Sequence, residues 1–191
     1  MKSNRYGQAR VLSTEQLDQL IAHLPGDHHR VVAEICRRTG CRIGEATQVT
    51  WGMVSESAIT FHRGITKGKL SSRSVPTVPV LWDVLVAWRA TWVADQGREP
   101  RADDFVVPGR FAGSRLSTRS FMDALERAAS ETGLEGVSSH SFRRSALTSA
   151  HAAGVPLRVL MSLSGHKSMS ALQRYLEVTP QQREDAAAAF A

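Results

Sequence analysis

A mainly α-helical domain with one small antiparallel β-sheet (an α+β fold) is what this sequence predicts. Three observations carry the prediction. Apolar residues recur at three- and four-residue spacing along most of the chain, as on one face of a helix. One stretch, Trp51 to Val80, departs from that period and alternates like strands around a glycine-containing polar turn. Caps and stop glycines punctuate the rest.

The elements follow in order. Residues 1–11 read as a flexible lead. Leu12-Ser13-Thr14-Glu15-Gln16-Leu17 is a helix start: Ser13 caps, Gln16 closes the capping box, and Leu12 and Leu17 staple the turn. Leu17, Leu20, Ile21 and Leu24 continue at helical spacing until Pro25-Gly26 breaks it. A helix over about 28–39 puts Val31, Val32 and Ile35 on one face, and Gly40 stands where a helix-closing glycine belongs. A short helix over Ile43 to Gln48 precedes the β-like segments Ala58–Phe61 and Ser74–Val78, joined by the turn Gly64 to Ser72. Pro76 and Pro79 mark the second strand as an edge. Leu81 to Gln96 is a helix whose Trp88 and Trp92 share the core face. Phe105-Val106-Val107 is a strand candidate inside a long loop. Ser117 opens a helix to Glu131, and further helices are expected over 141–153, 156–164, 169–177 and 180–190.

Composition narrows the class. The 191 residues, 42% of them hydrophobic, suit one domain with a sizeable core. No apolar run approaches the roughly 18 residues a membrane helix needs, and the polar N-terminus lacks a signal-peptide stretch. The expectation is a cytoplasmic protein without a membrane partner. The two cysteines, Cys36 and Cys41, fit neither a disulfide framework nor a zinc spacing and read as core thiols. Seven histidines without an H-x-x-x-H or H-E-x-x-H pattern argue against a metalloprotein. The net charge of +6, arginine-dominated, favours a polyanionic partner.

Four segments carry candidate chemistry: Thr39-Gly40-Cys41-Arg42-Ile43-Gly44-Glu45, Thr66-Lys67-Gly68-Lys69, His140-Ser141-Phe142-Arg143-Arg144, and Gly165-His166 through Arg174-Tyr175. Glu45, three residues after Arg42, shares its helix face and can hold the guanidinium; an ordinary surface ion pair explains the spacing as well. His140 and Arg143 lie on one side of a helix start, which suits a phosphate or simply a capping histidine and a solvated arginine. Arg144 points elsewhere and reads as surface or as a backbone contact to a polyanion. Lys67 sits in a basic turn, His166 follows a glycine, and Tyr175, one of two tyrosines, lies at helical spacing from Leu172 and Leu176. Each alone reads most simply as a structural residue.

Together, in this order, they resemble the tyrosine recombinase, or phage integrase, family. Its pattern is an arginine in a T-G-x-R-x-x-E segment, a β-turn lysine, an H-x-x-R pair, a G-H segment, and a tyrosine nine residues after that histidine; here 175 − 166 is nine. The resemblance covers about residues 12–178 and implies a catalytic domain of the DNA breaking-rejoining fold. Residues 179–191 form a tail that would dock on a neighbouring protomer. The implied reaction is site-specific recombination through a 3′-phosphotyrosine intermediate, needing neither metal, cofactor nor ATP. Tyr175 would be the nucleophile. Arg42, Arg143 and His166 would bind the phosphate oxygens, His140 would take the tyrosine proton, Lys67 would protonate the leaving 5′-oxygen, and Glu45 would support Arg42. The implied partners are double-stranded DNA, further copies in a tetramer on paired sites, and accessory DNA-bending proteins, with nucleoid association when bound. Only about eleven residues precede the matched region, where most members carry an N-terminal clamp domain; either the protein works without the clamp, resembling the short recombinases of fimbrial phase variation, or the chain is a fragment. A type IB-like topoisomerase shares the tyrosine chemistry, and a catalytically silent DNA-binding paralogue is the other alternative. Arg37, Arg38, Arg63, Arg73, Arg115 and Arg119 are candidate phosphate contacts.

Overall fold

The computed structural model describes residues 8–66, 71–178 and 180–190. Nine α-helices and a two-stranded sheet appear among them: α1 (Thr14–Ala22), α2 (Asp27–Thr39), α3 (Ile43–Ala46), β1 (Ala58–Phe61), β2 (Arg73–Pro76), α4 (Pro79–Gln96), α5 (Thr118–Glu131), α6 (Ser139–Ala152), α7 (Leu157–Ser164), α8 (Met169–Gln173) and α9 (Pro180–Ala188). β1 and β2 pair antiparallel, with Ile59 opposite Val75 and Phe61 opposite Arg73. The expected α+β architecture is present.

Helix α2 is the hub, packing against α6 and α4 and receiving α1 and α3. Its burial follows from its sequence: Val31, Val32, Ala33, Ile35 and Cys36 are all sealed from solvent. The Ser13–Gln16 capping box forms, with Gln16 N–H donating to Ser13 Oγ (3.2 Å) and Ser13 N–H to Gln16 Oε1 (3.1 Å). Trp88 and Trp92 are core residues whose indoles donate to the carbonyls of Val106 and Phe105. Cys36 and Cys41 are buried and unbridged. A separate, smaller apolar cluster centres on Leu147, Leu160 and Leu172, between α6, α7 and α8.

Several boundaries differ from expectation. Pro79 opens α4 at its first turn, where a missing N–H costs nothing, rather than extending the strand. Phe105–Val107 makes only a bridge from Phe105 to Thr50, because the partner chain turns away at once into a 3₁₀ turn, Trp51–Met53. The lead is tied down in its second half: Arg10 N–H donates to Gly136 O in the loop before α6, and the buried Leu12 N–H donates to Ser145 Oγ of α6. Helix α8 ends at Gln173, so Tyr175 lies in the turn beyond it.

One core group is poorly matched to its surroundings. The His29 imidazole is buried beside Phe121, and neither ring nitrogen has a hydrogen-bond partner among the described residues. Burial, then the charges of His28 and Arg127, hold its pKa down to about 4. The unfolded chain therefore binds the proton more tightly. His29 favours folding fully only above its ordinary pKa of about 6.5, and stability is lost as pH falls from there toward 4. His29→Leu should raise stability by about 1 kcal/mol at pH 8, by removing unpaired buried polar atoms, and by more at pH 5. Urea denaturation at the two pH values checks this; equal gains would show that the imidazole is not the titrating group.

Candidate active site

Three chain segments converge on one cleft because α2 and α7 end there and α6 begins there. Helix α2 stops at Gly40, whose φ of 62° is left-handed and suits glycine. The reversal brings Arg42 to the start of α3. Glu45, one turn on, accepts from the Arg42 backbone N–H (2.9 Å) and lies 3.4 Å from its guanidinium. Glu45 itself is buried. Its main partner is Arg73, whose two terminal nitrogens donate to the two carboxylate oxygens at 3.2 and 2.7 Å. Arg73 Nε also donates to Leu163 O at the end of α7, and its guanidinium lies 4.6 Å from the Phe61 ring centre. Burial pushes the Glu45 carboxyl up, but the hydrogen bonds from Arg73 and the Arg42 backbone outweigh it, and the net shift is downward.

Gly165 closes α7 with φ 69°, and a Cβ there would come within 3.2 Å of Arg73. A glycine is thus needed both for the turn and for the close approach of Arg73. The turn delivers His166 beside Arg143.

Arg143 is fully buried. It donates to Gly40 O (2.6 Å) and Ser164 O (2.8 Å), tying the ends of α2 and α7 together from α6. Among the described residues, its Nε has no partner. Burial, then the charge of Arg42, lowers its pKa to about 10, so it remains a cation at neutral pH. Its Nη2 lies 3.1 and 3.3 Å from the two ring nitrogens of His166. A nitrogen so placed cannot be in the ring plane, where Cε1 sits between them; it packs over the imidazole face.

His166 Nδ1 lies 2.7 Å from Ser164 Oγ, which donates to Leu160 O at 2.5 Å. The serine hydrogen being committed, Nδ1–H donates to Ser164 and Nε2 carries the lone pair. Burial, then Arg143, Arg42 and Arg73, hold the His166 pKa down to about 3. The expected role as a phosphate donor through Nε2 therefore needs a proton that the uncharged ring lacks.

The sixth helix begins at Ser139 and places His140 in its first turn, after the Ser138 cap. Tyr175 Oη is 3.3 Å from His140 Nδ1. The Tyr175 ring packs 4.9 Å from the His166 ring and 5.2 Å from the Arg143 guanidinium. Five of the six predicted catalytic side chains, Arg42, His140, Arg143, His166 and Tyr175, thus gather in one place, supported by Glu45. Lys67 lies outside the described residues. Its flanks, Thr66 and Ser71, border an open cleft of about 500 Å³ shared with Arg42 and His166. A second cleft of about 430 Å³, sharing Arg42, is lined by His140, Arg143 and Tyr175.

Some expectations for arginines fail. Arg144 is buried rather than at the surface: it donates to Ala9 O and to Glu177 Oε1 (3.1 Å). Among the candidate phosphate contacts, Arg37 is buried on Asp18 and Glu34, Arg38 pairs with Glu34, Arg73 holds Glu45, and Arg115 donates to Thr47 Oγ1. Arg63 and Arg119 are exposed. Ser164 is a site residue that motif reading missed, and Arg73, expected only as a phosphate contact, is instead the anchor of Glu45. Strand alternation was a usable signal for Arg73, which shares a face with buried Val75.

Known proteins resemble this chain in sequence and in fold. Residues 10–182 match the model of the phage integrase family. A tyrosine recombinase XerC of Bifidobacterium longum (strain DJO10A) is 37% identical over 163 residues, covering 79% of this chain and 43% of the relative. A tyrosine recombinase XerD of Mycobacterium tuberculosis (strain H37Rv) is 33% identical over 158 residues, covering 79% of this chain and 48% of the relative. The chain thus spans about half the length of the curated relatives it matches. In three dimensions it resembles the XerA recombinase (TM-score 0.76, 17% identity, 100% of this chain and 66% of that one). It is also similar to the catalytic domain of bacteriophage HP1 integrase (TM-score 0.64, 20% identity, 94% of each chain). Among the described residues no helix is long and apolar enough to cross a membrane. With its order of site residues, its fold and a family match over most of its length, the chain belongs to the phage integrase family.

Proposed function

We propose that this chain breaks and rejoins DNA strands at specific sites through a covalent 3′-phosphotyrosine at Tyr175. The observation that carries the reading is the Tyr175 hydroxyl, 3.3 Å from a histidine nitrogen on a cleft wall formed with Arg42 and Arg143. A free phenol, with a pKa of about 10, is almost wholly protonated at neutral pH, so attack needs a proton acceptor; His140 is the group in reach. Tyr175 Oη bonds to the scissile phosphorus as the phosphorus–O5′ bond breaks. The phenolic proton passes to His140, and Lys67 protonates the departing 5′-oxygen. A 5′-hydroxyl of a partner strand reverses each step. The ester bond is conserved in the phosphotyrosine, so no ATP is consumed.

Arg42 and Arg143 would carry the charge that grows on the non-bridging oxygens. Because fixed cations supply this charge, the reaction should proceed in EDTA. His166 holds the Arg143 guanidinium by its face; beside the negative charge of the phosphate it takes up a proton from solvent and then donates to the oxygens through Nε2. By the same reading the partner is double-stranded DNA, met by a tetramer on paired sites with accessory DNA-bending proteins. The tail over 179–191 docks on a neighbouring copy, and the protein is cytoplasmic and nucleoid-associated when bound. Affinity should be phosphate-dominated and fall steeply with salt.

The test is incubation with supercoiled DNA carrying the region around the chain's own gene, in EDTA and without ATP, stopped with SDS. The wild type should yield protein covalently attached to DNA, and Tyr175→Phe none, with DNA affinity kept. Binding without an adduct from either protein would overturn the reading. Lys67→Ala cleaving at the wild-type rate would remove its acid role.

A further inference from the structure

The segment that carries Tyr175 has little apolar support. Helix α8 has five residues and ends before the tyrosine. Its anchor, Leu172, belongs to the small cluster with Leu147 and Leu160, apart from the main core. Tyr175 and Leu176 are only half-buried at that cluster's edge. Thin packing of this kind gives low local stability, yet an attacking oxygen must be held to a fraction of an ångström. Something other than the core must hold it.

Two buried polar residues of α6 meet that need. Thr148 Oγ1 donates to Tyr175 O and accepts from Glu177 N–H, both at 3.2 Å. A threonine within a helix commonly returns its hydroxyl to the carbonyl one turn back; this one instead bridges the residue bearing the phenol and the residue two further on. One turn before it, Arg144 donates to the Glu177 carboxylate at 3.1 Å and to Ala9 O of the N-terminal lead. Arg144 and Thr148 are four apart and so share a helix face, and both are nearly sealed from solvent. Arg143, immediately before Arg144, is the arginine read as facing the phosphate. One helix therefore presents the anion clamp from one side and grips the nucleophile's backbone from another.

We propose that Thr148 is the positioning residue for Tyr175, with Arg144 as the second point of the clasp through Glu177. It touches no reacting atom. It fixes the height of the tyrosine backbone over α6, and so the reach of the phenol toward His140. The inference rests on the reading of Tyr175 as nucleophile for its catalytic consequence, but not for its structural one. The two can be tested apart.

Thr148→Val keeps the shape and loses the hydroxyl; Thr148→Ser keeps the hydroxyl. The chain has two tyrosines, Tyr6 and Tyr175, so protein grown on 3-fluorotyrosine gives two fluorine resonances, assigned with Tyr6→Phe. In Thr148→Val the Tyr175 resonance should move toward its unfolded position, while in Thr148→Ser it should stay. Melting temperatures should remain close to wild type in both. A Tyr175 resonance unmoved in Thr148→Val would overturn the proposal, whatever the protein does to DNA. A matched loss of melting temperature in both variants would overturn it too, by making Thr148 a packing residue. In the SDS-trapping assay the rate of adduct formation should fall on the order of 10- to 100-fold in Thr148→Val and stay within about twofold in Thr148→Ser, with DNA affinity unchanged in both. A wild-type protein that forms no adduct would sink the recombinase reading and leave the fluorine result to decide the clasp.

Discussion

Arg143→Lys should form covalent adduct at least about 10³-fold more slowly than wild type, the loss typical of removing a fixed cation from a phosphoryl-transfer site. Lysine keeps the charge, so charge is not what fails. The guanidinium is held at Gly40 O and Ser164 O from α6 while lying over the His166 face. No ammonium can reach two carbonyls on different helix ends and still present a fixed donor to a phosphate. Affinity for DNA should change far less, because a duplex meets many cations and loses one. Filter binding and single-turnover trapping on the same DNA separate the two quantities. Parallel losses in both would mean that Arg143 serves binding alone. Cleavage within tenfold of wild type would remove it from the transition state. Arg143→Ala should be at least as slow and less stable, since it leaves two buried carbonyls unpaired at about 1–3 kcal/mol each.

Motif order made most of this site legible before any coordinates. What local pattern reads well is local: the Ser13–Gln16 box, the stop at Gly40 and the tryptophan stripe of α4 all depend on residues within a turn or two. What it reads poorly is direction. An arginine beside Arg143 looks solvated, yet Arg144 turns inward because α6 is covered on that side by the lead and the segment that carries Tyr175, segments more than 30 residues away in sequence. The period of α6 held a hint, since Arg144, Leu147 and Thr148 share one face with a buried leucine. The end of α8 was hidden for a related reason. Leu172, Tyr175 and Leu176 keep helical spacing, but the backbone leaves the helix at Arg174 and the tyrosine packs on His166 instead. Lys67 was found by its motif and lies outside the described residues, so its place at the cleft remains part of the proposed mechanism.

The largest effect on stability should come from Glu45→Gln. The motif suggests that Glu45 serves Arg42, but the geometry weights it otherwise. Arg42 is partly exposed and its guanidinium is 3.4 Å away, whereas Arg73, with a side chain only 9% exposed, holds both carboxylate oxygens. Glutamine removes the charge and one acceptor, leaving the Arg73 guanidinium buried without its counter-ion. Removing one partner of such a pair costs about 3–5 kcal/mol, a drop in melting temperature on the order of 10 °C for a chain of this size. The same pair sets a pH dependence. The folded pKa of Glu45 lies below its ordinary value. Its contribution is therefore complete above the usual carboxylate range and is lost as pH falls through the folded value. The difference in unfolding free energy between wild type and Glu45→Gln should be widest near neutral pH and shrink toward pH 3. Double substitution locates the interaction: Arg73→Met with Glu45→Gln should cost much less than the sum of the two, because neither charge is then stranded. Additive losses would show that Glu45 works through Arg42 after all, and a Glu45→Gln protein as stable as wild type would mean that the buried pair contributes nothing to the fold around the site.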